Sequence, residues 1–407
     1  MHNKKVYLAL LTVVTIAFAI ISFNRGMRAD VKGDYYIYWE TGKAFLAGNK
    51  LYTPGLIDGG FTYPPFAALF FSLFSLVPFH VSAFLFTFFV NYGLWISSFV
   101  LVHKIMQQYY PGQHFKWPLG LAIALSACFY WHNFIWMNSN LPVLCLTLLG
   151  VLYYKRKQYG WSYVFFMAGT FFKITPVLFL VFAAIKRGPK HWPQIALTAL
   201  PFIVIPALLR GVHTGITDWK DYYEAFVAPF SKGQIDENII SLGIPALLNK
   251  MNTGNMAVGI KPLFHLNSVT LKHFILVFQI ISILLLTLKV AYDRYVRKNE
   301  ELSLADISLI YMITLLLPGR VWAHHHVCTG FIYTYLCFIL LKERQTALLV
   351  IICVLGMLTN LITKNVIGQT LTDILKHYSF VTLLMIFVSG VILFYEDKRN
   401  VLVEHKR

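Results

Sequence analysis

Long apolar runs alternate with short polar connections along the whole chain. Many of them approach the ~20 residues that a helix needs to cross ~30 Å of hydrocarbon. The candidate spans are residues 6–23, 64–77, 81–102, 117–131, 138–154, 161–185, 195–209, 271–291, 302–317, 322–341, 346–362 and 379–394. The pattern predicts an all-α polytopic integral membrane protein with a single domain over residues 1–407.

Composition supports this prediction. The chain is 57% hydrophobic and 13% charged, whereas a soluble domain carries roughly 25% charged residues. The net charge of +17 comes largely from basic connections between apolar runs, which favours contact with anionic membrane lipids over binding to nucleic acid. The five cysteines lie in apolar segments without a CxxC pair, so they are interpreted as core residues rather than disulfides or metal ligands. The first run has no cleavage site after it and is interpreted as a retained span.

The basic clusters predict the topology. Clusters at 155–157, 186–190, 294–298, 342–344 and 398–407 should face the cytoplasm. Two long polar stretches, residues 24–63 and 210–270, then face outward. The run 161–185 begins and ends beside cytoplasmic clusters, so it should turn back near Lys173 or Pro176. Four candidate spans lie between residues 64 and 154, where an odd number is needed, so one of them should not cross.

The first outer stretch contains a short amphipathic segment over residues 34–47. Gly48-Asn49 should end it, and its aromatic residues suit the headgroup region of a membrane. These aromatic residues are Tyr35, Tyr38, Trp39 and Phe45. The segment is therefore predicted to be a helix that lies at the membrane surface.

Asp34 has two interpretations that do not exclude each other. After Gly33 it could be the N-cap of this helix. It could also be a general base whose pKa is raised by partial shielding among aromatic rings. Asp30 and Asp58 share the stretch and are the alternative candidates for the base.

Two further motifs carry positive charge. Lys173 lies in the apolar sequence FFKITPVLF, where it could be a snorkelling residue or could meet an anion at the predicted turn. Arg320 lies in LLLPGRVWAHHHV, and with His324 or His325 it suits a phosphate group. Consecutive histidines point ~100° apart on a helix, so a shared metal ion is disfavoured. Interfacial anchoring is the alternative for this motif.

These motifs resemble glycosyltransferase family 87. The resemblance rests on Asp34-Tyr35-Tyr36, Gly42, Gly48, Leu51-Tyr52, the stretch 61–66 (FTYPPF), Lys173-Ile174-Thr175-Pro176 and Trp322-Ala323-His324-His325. The family's G-Q-x-N element appears as Met137-Asn138-Ser139-Asn140, and its N-Q-S element is at best Asn238-Ile239-Ile240-Ser241. The resemblance implies a GT-C-type bundle of about 11–13 transmembrane helices, and several of the candidate spans are too short to cross the bilayer without help.

The resemblance also implies an activity and a set of roles. It implies inverting transfer of mannose or another hexose from a polyprenyl-phosphate donor to a glycan or glycolipid acceptor, at the outer face of the cytoplasmic membrane. Asp34 would be the base, and no metal or cofactor would be needed. Lys173, Arg320, His324 and His325 would bind and neutralise the donor phosphate. Tyr35, Tyr36, Tyr63, Asn140 and Trp322 would contact the sugar or acceptor.

Two other functions fit the residues alone. A lipid or glycan transporter also has intramembrane charges and broken helices, but here the polar residues gather on one face and no paired halves are visible. In a non-catalytic membrane subunit, Asp34 would be a cap and the aromatic residues would be anchors. Replacing Asp34 with Asn separates these alternatives from a transferase, because only the transferase needs a base.

Overall fold

The computed structural model describes residues 2–27, 33–53, 60–231 and 233–404, and most of these residues are helical. The alternative bases Asp30 and Asp58 lie outside the described residues. The helices of the first half are α1 (His2–Gly26), α2 (Asp34–Leu46), α3 (Pro65–Phe74), α4 (Phe79–Leu85), α5 (Gly93–Tyr109), α6 (Lys116–Ile135), α7 (Asn140–Lys155), α8 (Tyr159–Phe172), α9 (Val177–Arg187) and α10 (Trp192–Arg210). A π-helical segment, Phe86–Tyr92, connects α4 to α5.

The second half begins with a stretch that was predicted only as an outer loop, residues 210–270. It contains α11 (Val212–Tyr222), α12 (Ala228–Ser231) and α13 (Ile244–Thr253). The helices that follow are α14 (Ser268–Tyr295), α15 (Leu304–Leu316), α16 (Thr329–Lys342), α17 (Thr346–Leu361), α18 (Lys364–Ile367), α19 (Gln369–His377) and α20 (Phe380–Glu404). A 3₁₀ helix, Ala323–Cys328, leads directly into α16.

The chain is a polytopic membrane protein. Within the described residues, four helical segments are long and apolar enough to cross a membrane: Phe79–Tyr109, Lys116–Ile135, Pro189–Arg210 and Ser268–Tyr295. The bent pair Gln369–His377 and Phe380–Glu396 makes a fifth if it is taken as one span. Other apolar helices, such as α7, α15 and α17, are shorter. Within the described residues, fewer helices meet this length and hydropathy criterion than the 11–13 transmembrane helices that the resemblance implies.

Basic residues from separate parts of the chain meet at one end of the bundle, which we call the basic end. Lys155 at the end of α7 lies 2.5 Å from Glu301, and Arg187 at the end of α9 lies 2.5 Å from Glu300. Arg294 of α14 contacts the same Glu300 at 2.8 Å. These residues belong to three of the five basic clusters, so the contacts agree with the prediction that the clusters share one side of the membrane.

The segment α8–α9 turns back on itself, as the sequence predicted. Its two helices are separated by residues 173–176. The Arg187 guanidinium at the end of α9 lies 4.0 Å from the ring centroid of Tyr159, the first residue of α8. Midway along the hairpin, Phe166 stacks on Phe179 at 5.2 Å. Both helix ends therefore lie at the basic end, and Lys173 lies at the tip of the hairpin.

Helix α3 is the best candidate for the predicted non-crossing segment. Its ten residues rise only about 15 Å, which is half of the hydrocarbon thickness. The Ser75 hydroxyl after α3 donates to the Trp39 carbonyl of α2 at 2.7 Å, and the Trp39 indole donates to the Val77 carbonyl at 3.1 Å. If α3 stays beside α2, the passages that remain between residues 64 and 154 are the full-length segments Phe79–Tyr109 and Lys116–Ile135 and the shorter α7, which is the odd number that the predicted topology requires.

Helix α2 packs against the protein through an aromatic face. Its buried residues include Tyr35, Tyr38 and Phe45, which are 1%, 4% and 6% exposed. These three were predicted to anchor in the headgroup region, and that prediction is wrong: they pack in a protein core. Gly42 permits the close approach to α3, because a Cβ there would lie 2.6 Å from the Phe71 carbonyl oxygen. The amphipathic helix itself is present as predicted.

Candidate active site

A cavity of about 1310 Å³ lies away from the basic end. The length of α7 measures the distance between the cavity and the basic end. The helix begins at Asn140, which lines the cavity, and ends at Lys155 of the basic end, roughly 24 Å away. The cavity is lined by most of the predicted site residues: Asp34, Tyr63, Asn140, Lys173, Arg320, Trp322, His324 and His325. The chain therefore brings residues from widely separated motifs into one space.

Asp34 is the first residue of α2, and Gly33 is the N-cap. The capping interpretation, which placed Asp34 at the N-cap itself, is therefore wrong, although a negative charge in the first turn still favours the helix. The Asp34 Oδ2 accepts a hydrogen bond of 2.6 Å from the Asn138 side-chain amide. The carboxylate thus faces the cavity and is held by a residue 104 positions away.

Burial and the neighbouring polar groups have opposite effects on the pKa of Asp34. Burial raises the pKa of its carboxyl group above the usual value, while the Asn138 hydrogen bond and the charges of Lys173 and Arg320 lower it. Burial is the largest of these influences, so the pKa lies above that of an ordinary aspartate. A carboxylate of this kind is a better proton acceptor than one in water.

Lys173 extends from the hairpin tip into the cavity. Its ammonium donates to the Asn140 Oδ1 at 2.7 Å and lies 5.5 Å from the ring centroid of Tyr63. Burial lowers the pKa of Lys173 to about 7, and the charge of Asp34 partly opposes that shift. The side chain is held inside the protein, which contradicts the snorkelling interpretation. Its charge is available to an anion in the cavity.

Arg320 and Trp322 both line the cavity, and their side chains are in contact. The Arg320 guanidinium is 4.6 Å from the Trp322 ring centroid. The Trp322 indole N–H donates to the Asp236 carboxylate at 2.8 Å, and the Asp236 backbone N–H donates to the Gly319 carbonyl at 2.9 Å. These two hydrogen bonds connect the stretch 210–270 to the motif that carries Arg320.

The two cavity histidines differ from their predicted role as charge carriers. Burial lowers the pKa values of His324 and His325 well below the usual range, and the Lys173 charge lowers them further. Both rings are therefore neutral at pH 7. The His325 Nδ1 accepts from the Trp322 backbone N–H at 2.7 Å, which leaves Nε2 as the protonated donor. The cationic side chains that line the cavity are Lys173, Lys272 and Arg320.

The third histidine does not join the other two. His326 is buried outside the cavity lining, with its ring stacked on Phe129 at 4.9 Å. Its Nδ1 lies 3.3 Å from the Trp322 carbonyl oxygen. The triplet diverges as helical geometry predicts, although the helix is of the 3₁₀ type rather than an α-helix.

Tyr35 and Tyr36 do not reach the cavity. The Tyr35 hydroxyl lies 2.5 Å from the Ser82 hydroxyl and its ring stacks on Phe86 at 4.4 Å. Tyr36 makes an edge contact with Phe79. Each residue turns ~100° around a helix, so the residues that share a face with Asp34 are three and four positions on. These residues are Ile37 and Tyr38, and both line the cavity.

Two cavity residues, Tyr38 and Asn138, were not predicted as site residues, although this periodicity or the family motif could have found them. Tyr38 is four positions after Asp34, and its hydroxyl lies 2.8 Å from that of Tyr63. Asn138 occupies the glutamine position of the G-Q-x-N element, and its amide also donates to the Tyr38 hydroxyl at 3.1 Å. Both belong to the polar network around the carboxylate.

A comparison with protein-family models identifies the chain. Residues 61–319 match the model of glycosyltransferase family 87. The chain belongs to this family. The glycosyltransferase therefore carries Tyr63, Asn138, Asn140 and Lys173 within the matched region, whereas Asp34 lies before that region and the motif 320–325 directly follows it. No curated protein and no solved structure matches the chain.

Proposed function

We propose that this glycosyltransferase moves a hexose, with mannose as the first candidate, from polyprenyl phosphate to a hydroxyl group of a glycan or glycolipid. The observation that carries the proposal is a shared cavity in which the Asp34 carboxylate lies with the cations Lys173 and Arg320; the charged residues Asp236, Glu237 and Lys272 also line it. A proton acceptor next to anion-binding groups suits a reaction in which a hydroxyl loses a proton and a phosphate leaves.

In the proposed step, the Asp34 carboxylate takes the proton of the acceptor hydroxyl. The hydroxyl oxygen forms a bond to the anomeric carbon while the bond from that carbon to the phosphate oxygen breaks. Polyprenyl phosphate leaves with the electron pair, and the configuration at the anomeric carbon inverts. General-base assistance of this kind contributes roughly 10²–10⁴-fold to the rate.

Lys173 and Arg320 would stabilise the charge that develops on the leaving phosphate. The His325 Nε2–H and the neutral His324 ring would add hydrogen bonds rather than charge, in accordance with their lowered pKa values. Fixed donors in a water-poor site are effective in this role because they need little reorganisation during the reaction. The proposed step uses no metal ion or cofactor, because protein cations offset the phosphate charge.

The side of the membrane on which the cavity opens is inferred from the position of the basic end. Cationic clusters remain on the cytoplasmic side of membrane proteins, so the basic end is assigned to the cytoplasm. The cavity then opens toward the outer face of the cytoplasmic membrane of a bacterial envelope. Tyr63 and Trp322, whose side chains line the cavity, are the proposed contacts for sugar rings. Asn140 also lines the cavity and accepts a hydrogen bond from Lys173.

The test is sugar transfer by the purified protein in lipid bilayers. The donors are polyprenyl-phosphate mannose and then the glucose, galactose and arabinofuranose carriers, with a lipid extract of the host as acceptor. Wild type is compared with Asp34→Asn, which keeps an acceptor oxygen for Asn138 but cannot take the proton. Glu40→Gln on the same helix is the matched control, since Glu40 pairs with Lys43 at the surface.

We expect donor-dependent product from wild type and Glu40→Gln and a loss of at least 100-fold in Asp34→Asn, in line with general-base catalysis. Product that persists in Asp34→Asn would transfer the role of base to Asp30 or Asp58. A stable protein that binds polyprenyl phosphate but forms no product with any donor would favour a transporter. Absence of both product and binding would favour a non-catalytic subunit.

A further inference from the structure

We propose that Asn138 and Asn140 form an amide relay that aims the Asp34 carboxylate and couples it to the Lys173 ammonium. Both asparagines are then positioning residues, because they act through groups that touch the substrates. The inference rests on the proposed role of Asp34 as the base. It changes the role expected for Asn140, which the resemblance placed at the sugar or acceptor.

The relay is a continuous chain of three hydrogen bonds. The Lys173 ammonium donates to the Asn140 Oδ1 at 2.7 Å. The Asn140 amide nitrogen donates to the Asn138 Oδ1 at 2.6 Å. The Asn138 amide nitrogen donates to the Asp34 Oδ2 at 2.6 Å. The two asparagines are 2% and 5% exposed, so the amides are shielded from water and their hydrogen bonds are strengthened by the low local dielectric.

The chemistry at the two ends fixes the orientation of both amides. An ammonium group can only donate, so the Asn140 atom that faces Lys173 must be its oxygen. The Asn140 nitrogen then faces Asn138, and it also donates to the His324 carbonyl oxygen at 2.9 Å. An ionised carboxylate can only accept, so the Asn138 nitrogen must face Asp34. A flip of either amide would place like groups against each other, and the relay therefore has one direction.

The relay explains why the two charged groups do not form a direct ion pair. A direct pair would neutralise both groups and would occupy the carboxylate from the side on which the acceptor must approach. Two interposed amides keep the groups apart while their aligned dipoles stabilise both charges. Asn138 occupies Oδ2 of Asp34, and Oδ1 is the oxygen that we assign to the acceptor hydroxyl.

The relay also couples donor binding to the strength of the base. In the empty site, the Lys173 charge lowers the pKa of Asp34. A donor phosphate that takes the ammonium away from Asn140 offsets this charge, and the pKa of Asp34 rises. The carboxylate therefore becomes the stronger proton acceptor when the donor is in place, which disfavours proton uptake before a productive complex has formed.

The test is steady-state kinetics of Asn138→Ala in bilayers over a range of pH. Loss of a hydrogen bond to a charged group should lower kcat about 10- to 100-fold, while the KM for the donor changes less than about twofold because the donor contacts other groups. The acidic limb of the kcat profile should move to higher pH, since the hydrogen bond that lowers the pKa of Asp34 is gone. A residue with a purely structural role would not move that limb.

Three further variants complete the test. Asn138→Gln retains the amide donor and should recover part of kcat and return the acidic limb toward the wild-type position. Asn138→Ser keeps a polar group but is too short to reach Asp34, and it substitutes for the alanine variant if that variant does not fold. Asn360→Ala is the matched control, because the Asn360 amide accepts from the Cys128 backbone outside the cavity and should leave the profile unchanged.

The outcomes separate the relay from the proposed function. If wild type is active, Asp34→Asn is inactive and Asn138→Ala or Asn138→Ser matches wild type in kcat and in its acidic limb, the relay is wrong and the base assignment stands. Equal acidic limbs for Asn138→Gln and Asn138→Ser would also overturn the relay. If wild type transfers no sugar, or if Asp34→Asn is as active as wild type, the proposed function or its base is wrong instead.

Discussion

The two ends of the bundle treat buried charge in different ways. At the basic end, the Lys289 ammonium lies 2.5 Å from Asp306 and 3.0 Å from Glu396, and the fully buried Lys186 lies 3.5 Å from Asp306. At the cavity end, two asparagine amides separate Lys173 from Asp34. The charges around Asp306 are thus in direct contact, whereas Lys173 and Asp34 are held apart.

This difference separates a structural role from a functional one. The carboxylates of Asp293, Asp306 and Glu396 lie within 4.8 Å of one another, a spacing that could suit a metal ion. However, Lys186, Lys289 and Arg297 lie among them and supply matching positive charge. The cluster connects α9, α14, α15 and α20. The compensated charges hold helices together, whereas Asp34 and Lys173 are the groups that we propose act on the substrates.

The largest expected effect is at the basic end. Asp306→Asn removes one carboxylate from a compensated cluster and leaves Lys186 and Lys289 with one negative partner fewer. Breaking a buried ion pair in this way destabilises a protein by about 3–5 kcal/mol. We expect a lower midpoint of thermal unfolding in detergent, while the transfer activity per folded molecule remains close to that of wild type.

The exposed pair Lys155–Glu301 provides the control for Asp306. Its lysine belongs to the same end of the bundle, but the Glu301 side chain is 46% exposed. Exposed pairs contribute only about 0–1 kcal/mol, so Glu301→Gln should leave the unfolding midpoint nearly unchanged. Equal destabilisation by both substitutions would show that burial does not distinguish the cluster.

The second effect is catalytic and lies at the cavity end. Lys173→Gln removes a cation proposed to stabilise the leaving phosphate, and it retains a side chain that can still donate to Asn140. Removal of one such donor lowers kcat by about 10²–10³-fold. The measurement is kcat for sugar transfer at saturating donor, corrected for the folded fraction. The exposed Lys220→Gln, which disrupts only a surface pair with Glu224, is the control.

A value of kcat near wild type in Lys173→Gln would contradict the comparison between the two ends. It would mean that Lys173, although held apart from Asp34, does not stabilise the leaving phosphate. A large loss of folded protein with normal kcat would instead place Lys173 among the structural charges, with Lys186 and Lys289.

Local sequence patterns were sufficient for the apolar helices and for the α8–α9 hairpin, but not for α11, α12 and α13 in the stretch 210–270. Every predicted apolar run falls on helices, because length and hydrophobicity are properties of a short segment. The α8–α9 hairpin was also predictable, since Lys173 and Pro176 interrupt an apolar run whose two flanks are basic. These features depend on contacts between the chain and the membrane rather than on contacts between distant residues.

The site was only partly predictable. Asp34, Lys173 and Arg320 stand out as charges beside apolar or aromatic residues, and the structure places all three at one cavity. The role of Asn138 depends on a partner 104 positions away, and the lowered pKa values of His324 and His325 depend on burial by several helices. No local pattern contains such information. The face of α2 could have been predicted, because Tyr38 follows Asp34 at helical spacing.

A third, smaller effect concerns the support of Asp34. Helix α2 approaches α3 so closely that a Cβ at Gly42 would lie 2.1 Å from the Ser75 hydroxyl oxygen and 2.6 Å from the Phe71 carbonyl oxygen. Gly42→Ala should destabilise the protein by about 1–3 kcal/mol through overpacking. Because the shift of α2 also moves Asp34, kcat should fall as well. Thermal unfolding and transfer activity measure the two consequences.

Gly120→Ala is the matched control for this substitution. Gly120 lies within α6, and a Cβ there would meet no atom within 4 Å. Alanine favours a helix over glycine by about 1 kcal/mol, so the control should be neutral or slightly stabilising. If Gly42→Ala behaved in the same way, the tight contact between α2 and α3 would not position the base.

The smallest expected effect is a pH dependence of donor binding that only the cavity end should show. The pKa of Lys173 is lowered to about 7 by burial, so its charge is present below that pH and is lost as the pH rises through it. A phosphodiester donor does not titrate in this range, and its affinity should therefore fall about twofold between pH 6 and pH 7 and up to about tenfold per unit above pH 7. Binding to wild type without acceptor measures this dependence. Lys173→Arg keeps its charge at every pH in the range, so the fall in donor affinity above pH 7 should be absent from this variant. A fall of the same size in Lys173→Arg would assign the titration to a group other than Lys173.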